Sequence, residues 1–309
     1  MKIPQRSENA VLPAPRSTKS WKERVTRGKW IRPFLFLSPV TTILVFFFIV
    51  PVTIFLLYSF WIARVWKIER TFTLTNYIYA FTNPTYRKVT VNALVIGFLS
   101  ATTATLVSYP LAYYLTFRLK RGRNLVLFLV VMSLLSSYLV RVYAWKTILG
   151  LNGLINSFLI WLGLIEEPLR FLLYSRLAVT ITLLNVFIPF TMLPILSSLQ
   201  NVQPELIEAA KDLGCGPLRA FLKVTLPLSM TGVISGFMYT FVLSAGDYIT
   251  PQLVGGTSGS MIGLSVANQF IKTGNWPLGS AISFTVLSLF MVIYFGVKWT
   301  ARYLKLAPS

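Results

Sequence analysis

Six apolar stretches, each long enough to cross a bilayer, dominate what this chain can fold into. They run at about 34–60, 89–117, 124–148, 176–200, 229–250 and 279–300. A helix rises about 1.5 Å per residue and the hydrocarbon core is roughly 30 Å thick, so ~20 apolar residues suffice for one crossing. Inside that core every backbone N–H and C=O must find a partner within the protein, which favours helices for runs of this length. The expected fold is an all-α membrane protein with six transmembrane helices. With 55% hydrophobic and 12% charged residues in 309, the composition is that of a polytopic membrane protein rather than a soluble domain.

Charge sets the expected orientation. The chain carries a net charge of +20, and its basic residues are unevenly placed. If the amino end is cytoplasmic, the inside segments 1–33, 118–123, 201–228 and 298–309 hold 19 of the 29 Lys and Arg, as the excess of positive charge on cytoplasmic loops requires. Segments 61–88, 149–175 and 251–278 then face outward and both ends lie inside. The bilayer, not nucleic acid, is the expected partner of this charge. Nine of the basic residues precede the first apolar run, and that run lacks a small-residue cleavage site, so it reads as a retained span. Three regions follow: a basic amino-terminal extension over 1–33, a six-helix domain over 34–300, and a tail over 301–309. In the outer loops, 151–164 reads as an interfacial helix and about 260–272 as a second short helix after Gly255-Gly256. That latter loop suits a receptor-facing surface or a re-entrant connector.

Much chemistry is excluded. There is no histidine and a single cysteine, Cys215, so no His/Cys metal site, internal disulfide or imidazole catalysis is available. No G-x-x-x-x-G-K-[ST] loop is present to cradle a nucleotide. No catalytic or metal-ligating set is expected, no cofactor is assigned to the chain, and it is not read as an enzyme.

Between the fourth and fifth apolar runs lies Gln203-Pro-Glu-Leu-Ile-Glu-Ala-Ala-Lys-Asp-Leu-Gly214. Pro204 suits the first helical position and Glu205 the positive end of the helix dipole, while Gly214 can take the left-handed conformation that ends a helix. On a helical wheel Glu205, Glu208 and Asp212 share one face and Leu206, Ala209, Ala210 and Leu213 the opposite one. This acidic stripe in a basic chain suits a basic partner or solvent.

The segment resembles the EAA loop of binding-protein-dependent ABC importer permeases: Glu-Ala-Ala, three residues, Gly, nine residues, then Ile-x-Leu-Pro. Glu208, Ala209, Ala210, Gly214, Leu226 and Pro227 fall at the matching positions, with Val224 in place of the isoleucine. Further stretches resemble the spermidine/putrescine permease subgroup: Tyr109-Pro-Leu-Ala-Tyr-Tyr114, Tyr138-Leu-Val-Arg-Val-Tyr-Ala-Trp145, Gly150-Leu-Asn-Gly-Leu-Ile-Asn156, Gly246-Asp-Tyr-Ile-Thr-Pro251 and Trp276-Pro277. The resemblance implies a type I ABC importer permease fold in the bacterial inner membrane, with the EAA loop as a cytoplasmic coupling helix. It implies a second homologous permease subunit, two ATPase subunits that bind ATP and Mg, and a periplasmic substrate-binding protein. The implied cargo is a polyamine; an opine, another amino compound or ferric iron is the alternative. The implied ATPase contacts are Glu205, Glu208, Ala209, Ala210, Asp212, Leu213, Gly214 and Pro227.

Other positions suggest a substrate path. Asp247 is the only carboxylate placed within a span, toward the outer end of the fifth. With Tyr248 and Trp145 it could favour a cation; a salt bridge to Arg141 or Lys146, or a position just outside the hydrocarbon, is the alternative. Tyr138, Tyr143, Asn185, Ser136 and Tyr239 line a path or pack and anchor the helices. Pro189 and Pro194 are expected to kink the fourth span, and Ser133/Ser137 and Gly232/Gly236 to allow close helix approach. A secondary transporter would carry its own coupling-ion site and interrupted repeats, which the single intramembrane carboxylate does not supply.

Overall fold

The computed structural model describes residues 37–64, 67–119 and 121–303. The basic extension 1–33 and most of the tail lie outside this set. The chain divides into two units, Met1–Phe55 and Leu56–Ser309. The described part of the first unit belongs to a single apolar helix, α1, Leu37–Ser59, which contains a π turn at Val45–Ile49.

In the second unit the end of α1 is followed by a hairpin within the segment 61–88. Strands β1 (Ile62–Arg64) and β2 (Lys67–Glu69) pair antiparallel with Ile62 opposite Glu69, closed by an Arg64–Glu69 ion pair at 3.1 Å. Then follow α2 (Thr75–Thr82), α3 (Pro84–Phe117), α4 (Arg123–Leu135), α5 (Tyr138–Ile148), α6 (Leu154–Trp161) and α7 (Arg176–Gln200). The series ends with α8 (Pro204–Asp212), the long α9 (Pro217–Ala245), a π turn at Pro251–Gly255, α10 (Ile262–Ile271) and α11 (Trp276–Tyr303).

Helices α3, α7 and α9 form the centre. Their packing follows from small residues, since lipid removes the hydrophobic drive between spans and leaves close contact to hold them. On α3 the buried stripe runs Ala93, Gly97, Ala101, Ala104, Ser108, Ala112. A Cβ on Gly97 would lie 2.8 Å from that of Ala245 on α9. The expected Gly232/Gly236 pair is used in the same way: a Cβ on Gly232 would fall 2.5 Å from the Pro194 carbonyl oxygen of α7. The Ser133/Ser137 pair is not, because the two serines lie on either side of a break.

That break corrects the expected third span. The run 124–148 is not one helix; α4 and α5 meet at 95°. Ser136 and Ser137 both take extended backbone angles, with ψ near 138° and 129°, so the helical ladder stops there. The described residues thus hold five helices long and apolar enough to cross a membrane, or six if the bent pair counts as one. The fifth span also differs from expectation. It begins at Pro217 rather than 229 and ends at Ala245 rather than 250, so the intervening loop is shorter than 201–228. Pro189 and Pro194 sit inside α7, which continues through them.

The unit has two distinct ends. At one, Asn92 of α3 and Arg176 of α7 both hydrogen-bond the Ser258 carbonyl. Toward the other, Tyr109 of α3 meets Ser229 of α9 at 2.8 Å and Tyr113 packs edge-on against Phe221; α8 lies at this second end.

Candidate functional site

α8 is built as its sequence dictates. Pro204 occupies the first turn, where its missing N–H costs nothing. Glu205 stands beside the exposed N–H groups of that turn. At the other terminus the Gly214 N–H donates to the Lys211 carbonyl at 2.8 Å and the Cys215 N–H to that of Ala210 at 3.0 Å. With Gly214 at φ +83°, these bonds form a Schellman closure, which pairs carbonyls that the helix end leaves free. A Cβ at Gly214 would meet nothing within 4 Å, so the demand for glycine is conformational alone.

The helix rests on the first turns of α9. There Leu226 N–H bonds the Phe221 carbonyl in a π register, one residue before Pro227, which has no N–H to continue the ordinary ladder. Glu205, Glu208 and Asp212 are exposed, as the wheel required. The apolar face differs from expectation: Ile207 and Ala210 turn inward, whereas Leu206, Ala209 and Leu213 are exposed. Leu213 is 87% exposed, and Leu218 and Leu222 of α9 are exposed at the same end. Apolar side chains set among carboxylates at a helix tip make a surface suited to another protein. The wheel missed this division because it cannot say which arc of a short helix rests on its neighbour.

The second group of candidate residues gathers around the start of α5. The hydroxyls of Tyr138 and Thr250 are hydrogen-bonded at 2.8 Å, and Arg141 Nη1 donates to the Val186 carbonyl of α7 at 3.1 Å. Asp247 is not inside the fifth span; it follows Gly246, the residue that caps α9. Its carboxylate accepts from the N–H groups of Ile249 (3.3 Å) and Thr250 (3.0 Å), the geometry of a helix N-cap. No ion pair joins Asp247 to Arg141 or Lys146 among the described residues. Tyr138, Thr250 and Asp247 thus form one polar cluster, with Arg141 one helical turn beyond Tyr138 on α5.

The remaining candidates do not join it. Trp145 packs with the apolar core. Tyr143 is exposed, with the Lys146 ammonium 5.9 Å from its ring centroid. Asn185, Tyr248 and Tyr239 are exposed. Thr250 and the Val186 carbonyl were not legible as members of the cluster, since neither is unusual in sequence. Among the described residues no group of carboxylates and cysteine is placed to hold a metal ion.

Several apolar helices long enough to cross a membrane, packed through small residues and carrying one exposed amphipathic helix between two of them, are the architecture of a polytopic membrane protein. The family profile described as "Binding-protein-dependent transport system inner membrane component" matches residues 25–305, and the chain belongs to this family. It is 32% identical over 230 residues to the spermidine/putrescine transport system permease protein PotB of Escherichia coli strain K12, covering 74% of this chain and 83% of that one. The PotB of Haemophilus influenzae is 34% identical over 223 residues, 72% of this chain and 77% of the relative. A solved bacterial ABC transporter that imports the acidic polysaccharide alginate shares the fold, with a TM-score of 0.73 at 17% identity over 92% of this chain and 99% of that one.

Proposed function

We propose that this chain is one of two permease subunits of an ATP-driven importer for a polyamine, received from a periplasmic binding protein. The observation that carries this reading is α8, an exposed helix whose Glu208, Ala209, Ala210 and Gly214 match the EAA pattern and whose Schellman closure fixes its exit. The relatives named for spermidine and putrescine support the cargo, and the PotC of Haemophilus influenzae, 29% identical over 218 residues, supports a second, similar subunit. On this reading α8 seats on a separate ATPase that binds ATP and Mg, with contacts from Glu205, Glu208, Leu213 and Gly214. Both chain ends face the cytoplasm. Motion of the ATPase moves α8 and α9 and alternates the access of the path between the two sides.

A polyamine fits Asp247, a carboxylate linked through Thr250 to the Tyr138 hydroxyl at the end opposite α8. A zwitterionic or anionic amino compound is the second reading, favoured by the Arg141 guanidinium, whose Nε is buried without a partner. Uptake of labelled spermidine by proteoliposomes holding the full complex decides between them. ATP-dependent accumulation supports the polyamine; accumulation of an opine with none of spermidine overturns it.

A further inference from the structure

A charged cleft and an apolar groove meet along one face of α3, and together they have the shape of an amphiphile. At the end of α3 away from α8, two cavities of about 760 and 390 Å³ share Pro84, Lys88, Asn92 and Arg176; Arg87 borders the smaller. Arg87, Lys88 and Arg176 are exposed, and none has a carboxylate within 4 Å among the described residues. Three like charges in one cleft favour an anion.

Asn92 points independently to a ligand. Its side chain is 6% exposed, and its Nδ2 donates to the carbonyls of Ser258 and Ser260 at 3.0 and 2.6 Å. Both donors being used fixes the amide's orientation and leaves Oδ1 buried without a partner. An unpaired buried acceptor is destabilising, and a ligand bearing an N–H or O–H removes that cost.

The charge stops abruptly along the helix. Val91 and Val95 continue the wall of the smaller cavity, and Val95 recurs in a third cavity of about 420 Å³ walled only by apolar side chains, among them Phe98, Phe237, Phe241 and Val297. A free phosphate would fill the cleft and leave this groove bare. The cations stand at the boundary of the apolar run, at the depth of lipid headgroups.

We propose that this track holds one phospholipid whose headgroup carries a hydrogen-bond donor, of the ethanolamine or glycerol class. Its phosphate lies on Arg87, Lys88 and Arg176, its headgroup donor reaches Asn92, and one acyl chain follows Val91 and Val95 into the groove beside Phe98. The test is native mass spectrometry of the delipidated complex in detergent, titrated with phosphatidylethanolamine. The double variant Lys88→Gln/Arg176→Gln is expected to bind the lipid roughly tenfold more weakly or worse, while Lys298→Gln/Arg302→Gln, changed on α11, binds as the parent does. Phe98→Trp fills the groove without touching the charges and is expected to weaken binding as well, which keeps the test open if the charge variant fails to assemble. Excess glycerophosphoethanolamine, a headgroup without chains, is expected not to displace the lipid. Parental binding in both the charge and groove variants overturns the proposal. So does displacement by the chainless headgroup, or a charge variant that loses only its affinity for the binding protein.

Discussion

The backbone of Gly236 on α9 stands so close to Thr191 on α7 that a Cβ would fall 2.6 Å from the Thr191 carbonyl oxygen. Beside that contact the Thr191 and Thr240 hydroxyls are hydrogen-bonded to each other. In lipid, where apolar surface alone does not hold helices together, such approaches are what unite two spans.

Gly236→Val is therefore expected to separate α7 from α9 and lower stability by about 1–3 kcal/mol, the usual cost of overpacking. Gly296→Ala is the control, because a Cβ there meets nothing within 4 Å. Thermal unfolding of the purified complex in detergent is expected to show a lower midpoint for the first variant and no change for the second.

Gly214→Val forces a β-branched residue into the left-handed region at a cost of about 1–2 kcal/mol, and it opens the closure of α8. Gly214→Asn tolerates that conformation. If α8 is the ATPase contact, the valine variant loses substrate-stimulated ATP hydrolysis and the asparagine variant keeps most of it. Glu208→Lys is expected to behave like the valine variant. Full stimulation in Gly214→Val and Glu208→Lys would remove α8 from the contact.

The capping role of Asp247 separates stability from charge. Asp247→Ala removes the cap and is expected to cost about 1 kcal/mol. Asp247→Asn retains a capping oxygen, so its unfolding midpoint is expected to stay near that of the parent while the initial rate of polyamine uptake falls. An unchanged rate in the asparagine variant would confine Asp247 to its structural role.

Single cysteines in a Cys215→Ser background address orientation. Ser258 is exposed at the end opposite α8, and Ser157 follows the start of α6; both are expected to label from outside with an impermeant maleimide. Ser229 is buried against Tyr109 and is expected to stay unlabelled. Labelling of Ser258 only after the membrane is opened reverses the proposed topology.

What the sequence made legible was local. Pro204 and Gly214 bound α8 because each acts on its own backbone angles, and Gly232/Gly236 announced a close contact because only glycine permits one. The break at Ser136 and Ser137 was hidden, since a run of apolar residues from 124 to 148 satisfies a span whether straight or bent. What accompanies the bend is tertiary: Tyr138 reaches Thr250 and Arg141 reaches Val186, partners more than forty residues distant in sequence. The end of the fifth span is hidden for a similar reason, because Tyr248 and Ile249 prolong the apolar run past Gly246, where the helix itself ends. Burial of the α8 face depended on the neighbouring π turn, which no periodicity encodes.

α9 runs from Pro217 to Ala245, 29 residues with a π turn near its foot, or roughly 43 Å at the α-helical rise. On the proposed reading, a displacement applied at its foot is carried along the helix toward its tip. Just past the tip stands Asp247, clasping Thr250, which in turn holds Tyr138 at the elbow between α4 and α5. On that reading a tilt imposed at α8 would arrive as a tug on the elbow, linking the two halves of the bent pair to an event at the opposite end of this unit.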